Sequence, residues 1–203
     1  MSITPGDITA FIARMRSGAD ACEQRLNAAD ALLGDGDTGS MLRRIARAMD
    51  GSEAGRAADA ASAAIILSQA ATKETGSSLG TLVATGLMSL AKQARERGAT
   101  LDAGDLHEVI AGARDAMAAR GKAEAGDKTV LDSLDAIARA FSSGAATHAT
   151  AAAAAREALE TFRDRPCRIG RARMFPERSR GADDPGMLAV ALLLEHEDTP
   201  DVA

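Results

Sequence analysis

Apolar residues recur along this chain at helical spacing. Ile8, Phe11, Ile12, Met15, Ala19, Cys22 and Leu26 fall on one face, with Thr4-Pro5 as a natural start, and predict a first helix ending just before Asp30. A second begins near Asp37 and runs through Met41, Leu42, Ile45 and Met49. Further helical patterns cover residues 56–72, 79–97, 105–120, 128–141 and 149–162. The last, Pro185–Glu195, carries Met187, Leu188, Val190 and Leu192 to Leu194 almost all round, the mark of a buried helix. No stretch alternates with period two for long enough to make a strand. The expectation is an all-α protein of about eight helices.

The connections between these helices are rich in glycine: Gly34, Gly36 and Gly39, then Gly76 and Gly80, Gly121 and Gly126, Gly170, and Gly181 with Gly186. An up-and-down arrangement puts alternate connections at the same end, so the loops near residues 30–39, 75–80, 121–128 and 168–186 are expected to gather on one rim. The first of them carries the strongest chemical signal. In Asp30-Ala-Leu-Leu-Gly-Asp35-Gly-Asp37-Thr-Gly-Ser40 three carboxylates crowd together and repel one another unless a cation sits among them. Hard divalent ions such as Mg²⁺ take oxygen ligands and leave positions for water or phosphate. Thr38 and Ser40 add hydroxyls, and the start of the second helix adds amides that could face a phosphate.

Two other aspartate motifs fail here. An EF-hand loop counted from Asp35 puts Gly39, Ser40 and Ala46 where an oxygen donor, glycine and glutamate are needed. A haloacid-dehalogenase phosphatase places Asp-x-Asp-Thr at the end of an apolar strand, and the preceding residues 21–30 are polar and alanine-rich. The simpler alternative is an acidic turn with Asp37 as a helix N-cap, which leaves Asp30 and Asp35 without a role.

Composition narrows the picture. The 203 residues suffice for one domain spanning residues 1–203, and the 46% apolar fraction rests on alanine with only four phenylalanines, which suits closely packed helices. A net charge of −5 argues against nucleic-acid binding, although residues 163–180 hold seven arginines. Cys22 and Cys167 make neither a zinc motif nor a disulfide framework, the N-terminus has no leader pattern, and no run reaches membrane-spanning length. A soluble cytoplasmic protein with no membrane contact is expected.

Weaker signals complete the set. Thr75-Gly-Ser-Ser-Leu-Gly80 could hold an anion at a helix start or simply cap it. Gly126-Asp-Lys-Thr129 looks like a truncated P-loop without its strand, more simply read as Asp127 capping the next helix, and Asp184-Pro-Gly186 reads as an N-cap with Pro185 in the first helical position. His107, His148 and His196 read as surface histidines, the last within the acidic tail 195–198.

In this order and spacing the acidic cluster, Gly76-Ser-Ser78, Gly126-Asp-Lys-Thr129, Gly170-Arg-Ala172, Glu177-Arg-Ser179 and Asp184-Pro-Gly186 closely resemble the L subunit of dihydroxyacetone kinases (DhaL-type). The resemblance spans residues 30 to 186 and implies a closed barrel of eight antiparallel amphipathic helices with the nucleotide held in loops at one end. It implies that Asp30, Asp35 and Asp37 bind two Mg²⁺ ions clamping the phosphates of ADP or ATP. Thr38, Gly39, Ser40, Met41, Ser77 and Ser78 would line the phosphate side, Gly121 and Val130 would lie near base or ribose, and Arg178, Asp184, Pro185 and Gly186 would complete the loop over the nucleotide. Thr38 and Ser40 stand where members often carry other polar residues, histidine and asparagine among them. The resemblance also implies a separate K-type subunit that holds the keto-sugar, dihydroxyacetone or a tetrose such as erythrulose, and in one branch a phosphotransferase-system protein that recharges bound ADP. A homodimer is compatible with it. A fatty-acid-kinase nucleotide domain shares this fold and aspartate site, and a non-catalytic Mg-nucleotide regulator would use the same site for binding alone.

Overall fold

The computed structural model describes residues 2–196, and every regular element among them except one isolated bridge between Ser2 and Asp102 is helical. Eight α-helices follow one another: α1 (Pro5–Asp30), α2 (Thr38–Asp50), α3 (Ala60–Glu74), α4 (Ser78–Glu96), α5 (Leu106–Gly121), α6 (Val130–Ser143), α7 (His148–Phe162) and α8 (Pro185–Glu195). Their starts are written locally. Thr4, Asp59, Ser77, Thr129, Thr147 and Asp184 each accept a backbone N–H of the helix they precede, leaving only α2 and α5 without such a side-chain cap. At α1 the cap is reciprocal, because the Asp7 carboxylate takes the Thr4 N–H at 2.9 Å, and Pro5 sits in the first turn.

Two expected boundaries shift. Helix α1 includes Asp30, and α3 begins at Ala60 because Asp59 caps it after a short 3-10 turn at Glu53–Arg56. At α6 the cap is Thr129, paired reciprocally with Asp132, and not Asp127, whose carboxylate instead accepts the Glu124 N–H at 2.8 Å.

Each helix packs against the next, and α8 returns to α1, which closes the ring. The core within it is built from Leu26, Met41, Ile45, Leu67, Leu159 and Met187, interleaved with fully buried Ala63, Ala71, Ala155 and Ala191. Alanine lets neighbouring axes approach, and α1 and α2 are in tight contact at Gly39, where a Cβ would stand 2.1 Å from the Glu23 carbonyl oxygen. Helix α8, apolar on all sides, packs against α6 and α7 as well as α1 and has Met187, Leu188 and Ala191 buried. The N-terminal segment ties to the α4–α5 connection through Ile3 N–H to Leu101 C=O at 2.6 Å. The α1–α2, α3–α4, α5–α6 and α7–α8 connections belong to the opposite end. No helix among the described residues is long and apolar enough to cross a membrane.

Candidate functional site

The acidic loop is folded by its own first carboxylate. Asp30 ends α1, its carbonyl accepts the Leu33 and Gly34 N–H groups at 3.1 and 2.6 Å, and Gly36, at φ +75, turns the chain back toward α2. One carboxylate oxygen of Asp30 then accepts the N–H groups of Asp37 (3.0 Å) and Thr38 (3.3 Å). Asp30 therefore caps α2 from the preceding helix, while Asp37, in the N-cap position, makes no side-chain cap bond. The simple reading of Asp37 as a cap is corrected by this geometry. A side chain at Gly34 would displace the Asp30 carboxylate, because a Cβ would lie 2.2 Å from its other oxygen.

The outcome is a cluster in which Asp30, Asp35 and Asp37 each bring a carboxylate oxygen within 4.8 Å of the other two. Asp30 is half-buried and its partners are exposed. At that separation each pair of charges repels by about 1 kcal/mol in water and about 3 kcal/mol at an effective dielectric constant of 20. An oxygen-preferring divalent cation would turn this repulsion into attraction, and the all-carboxylate donor set fits Mg²⁺ better than a softer metal.

The start of α2 departs from the expected phosphate cradle. Asn27, one turn before Asp30, accepts the Gly39 and Ser40 N–H groups with one Oδ1 at 2.8 and 3.1 Å, and its Nδ2 donates to Ser40 Oγ at 3.0 Å. Ser40 Oγ donates in turn to Glu23 at 2.9 Å, and Met41 N–H bonds the Asp37 carbonyl at 2.9 Å. With Thr38 N–H on Asp30, the four amides expected to face a phosphate already have partners. They hold the acidic loop in shape instead. Sequence reasoning passed over Asn27; its place three residues before Asp30 on one helix face was the available signal.

Ser77 caps α4 through Gly80 N–H at 3.1 Å, and Ser78 opens the helix. Gly80 is pressed between Thr75 and Ile45 of α2, so the turn sits tightly on the helix that starts at the acidic loop. Beside it opens a cleft of about 310 Å³ lined by Thr72, Thr75, Thr81, Thr85, Met88 and Arg120, with Gly121 next in sequence to its rim. A larger cleft of about 610 Å³ lies between α6 and α7 and is lined by none of the expected site residues.

The long α7–α8 connection carries Arg178 to the acidic loop. Its guanidinium lies over the Phe175 ring, 5.1 Å from the centroid, and donates to the Leu32 carbonyl at 3.4 Å. Asp184 caps α8 by accepting Met187 N–H at 2.9 Å, and Gly186 packs against Val130. Burial pushes the Asp184 carboxyl up to about 6, against the opposing effect of its backbone hydrogen bonds and of Lys128. Lys128 is the second residue whose role was not foreseen: it is only 1% exposed, and its ammonium donates to the carbonyls of Arg163, Arg165 and Ser179 at 2.7 to 2.9 Å. All three of its protons are committed, so it is no P-loop lysine.

The histidines stay outside this site. All three lie at the surface, each half-buried; His107 meets the Gly104 carbonyl at 2.9 Å and His196 meets Ser17 Oγ of α1 at 2.9 Å. Residues 197 and 198 of the acidic tail lie outside the described residues.

A closed ring of eight helices with a three-carboxylate loop, reached by an arginine from the last connection, defines an all-α barrel with its acidic cluster in a loop between helices. The DAK2 domain profile matches residues 32–197, and the chain belongs to that family as a DhaL-type domain. Among its relatives, L-erythrulose 1-kinase of Mycolicibacterium smegmatis is 34% identical over 85% of this chain, and the ADP-binding subunit DhaL of a PEP-dependent dihydroxyacetone kinase of Listeria innocua is 29% identical over 84% of both chains. This chain spans about a third (32%) of the erythrulose kinase. The crystal structure of the dihydroxyacetone kinase from C. freundii in complex with AMP-PNP and Mg²⁺ shares the fold, with a TM-score of 0.72 at 23% identity over 92% of this chain and 32% of that one.

Proposed function

We propose that this chain is the nucleotide-holding part of a keto-sugar kinase, acting with a K-type partner that binds a three- or four-carbon keto-sugar. The observation that carries the reading is the trio of carboxylates within 4.8 Å on a loop that Arg178 reaches from across the rim. Asp30, Asp35 and Asp37 would hold Mg²⁺, as one or two ions, which would neutralise phosphate charge during transfer. Asp30 keeps its second oxygen for this task while the first holds α2, so metal and helix start are positioned by one side chain. Asn27 and Glu23 keep Ser40 and the α2 amides in place behind the metal. Arg178 would lie against the phosphates and stabilise the charge that develops on them, and the hydroxyl-lined cleft beside Ser77 and Gly121 is the space offered to the nucleoside end.

The rim around Arg178 supports a partner. Leu32, Met174 and Phe175 are 56%, 69% and 42% exposed, an apolar fringe that suits docking of a subunit presenting the sugar hydroxyl. The two free thiols fit a reducing cytoplasm.

Titration calorimetry with Mg-ATP and Mg-ADP, before and after Asp35→Asn, tests the site. Binding in the native chain and its loss in the folded variant are expected; unchanged affinity sinks the reading. Turnover of dihydroxyacetone and erythrulose with a K-type partner then identifies the sugar. Retention of ADP through purification would mark a subunit recharged by a phosphotransferase-system protein, whereas free exchange of ATP would mark direct use of it.

A further inference from the structure

We infer that Lys128 is a positioning residue that sets the place of Arg178 over the phosphates. The inference rests on the reading of the site just given. The connection between α7 and α8 contains only two short 3-10 turns, Arg171–Met174 and Glu177–Ser179, so its path is not fixed by its own helices. It is held by ties between its two ends, Gly181 N–H to the Arg163 carbonyl at 2.9 Å and the Arg163–Asp183 ion pair, and from the α5–α6 connection. Lys128 stands there in the left-handed region at φ +63, a conformation that a lysine keeps only where its surroundings hold it. Its ammonium gathers the beginning and the end of the loop by taking the carbonyls of Arg163, Arg165 and Ser179.

Ser179 is the residue immediately after Arg178, and it is fully buried. Its hydroxyl donates to the Pro176 carbonyl at 2.6 Å and accepts the Cys167 N–H at 2.8 Å, so the turn bearing Arg178 is tied to its own loop as well as to the lysine. A further tie runs from Arg168 N–H to the Asp127 carbonyl at 3.1 Å. Beyond this anchored point the Arg178 side chain is exposed; it donates to the Leu32 carbonyl of the acidic loop and lies over the Phe175 ring. An anchored base with its guanidinium held at the acidic loop is what a charge-stabilising arginine needs, since the charge must be in place before the reaction.

The test is a double-mutant cycle on the full chain with its K-type partner. Lys128→Met should lower kcat by about 10²-fold, the scale of a small misplacement of a catalytic group, with little change in Mg-nucleotide affinity. Added to Arg178→Gln it should cost little more than Arg178→Gln alone. Lys128→Gln, which keeps two donors, should recover part of the loss. Ser179→Ala loosens the same turn without touching the ammonium and should show the same non-additivity, including where Lys128→Met does not fold. Losses that multiply in the cycles, or variants with native kcat, overturn the inference. If Arg178→Gln itself leaves kcat unchanged, the proposed site fails instead.

Discussion

Asn27→Ala isolates the contribution of the side chain that braces the acidic loop. It removes two accepted backbone hydrogen bonds and one donated to Ser40 Oγ, at 2.8 to 3.1 Å, and leaves the first turn of α2 without partners at Gly39 and Ser40. Each bond contributes about 0.5–1.5 kcal/mol net, and partial exposure lets water replace some of them, so the expected loss is about 2–3 kcal/mol. For a chain of 203 residues with an unfolding entropy of about 2.1 cal/mol/K per residue, this lowers Tm by about 5–7 °C. Thermal unfolding followed by circular dichroism reads the stability, and calorimetric titration with Mg-nucleotide reads the site. Affinity should fall because α2 no longer starts where Asp37 needs to be. Asn27→Asp keeps the acceptor oxygen and should retain most of the stability. A Tm within about 1 °C of native with unchanged affinity for Asn27→Ala would refute the bracing role.

Two further outcomes follow from the same geometry. Asp37→Ala should not destabilise the metal-free fold, because Asp37 caps nothing and its removal relieves repulsion from Asp30 and Asp35, yet should abolish Mg-dependent nucleotide binding. Denaturant titration gives the first quantity, and a loss above about 1.5 kcal/mol would restore the capping role. At Asp184 the folded carboxyl titrates near 6 against 3.8 for the ordinary group, so the folded state holds the extra proton between those values. Its contribution is fully present below about pH 4 and is lost as pH rises through 6, a difference of about 3 kcal/mol for two units. Asp184→Asn keeps the cap and cannot ionise. The variant should gain stability relative to native as pH rises from 4 to 7, and parallel pH profiles would refute this.

Much of the fold was legible because its determinants are local. Helical spacing located all eight helices, and Thr4-Pro5 and Asp184-Pro185 marked the starts of α1 and α8 where they are found. The errors were local competitions decided by contact. Thr129 and Asp127 are both cap residues by type, and Thr129 prevailed because Asp132 lies three residues on to complete the reciprocal pair. Asp59 prevailed over the expected start near Arg56 because the chain first makes a 3-10 turn there.

By itself the sequence determined the helices, the alanine-rich packing and the cluster of acids, since period, composition and spacing within eight residues need no partner from elsewhere in the chain. Only the tertiary structure decided which groups the α2 amides and the Lys128 ammonium would satisfy. A buried donor must find an acceptor, and the acceptor it finds depends on which surfaces the closed ring brings together. Asn27 reaches 12 and 13 residues ahead, and Lys128 reaches 35 to 51, distances in sequence that no periodicity encodes.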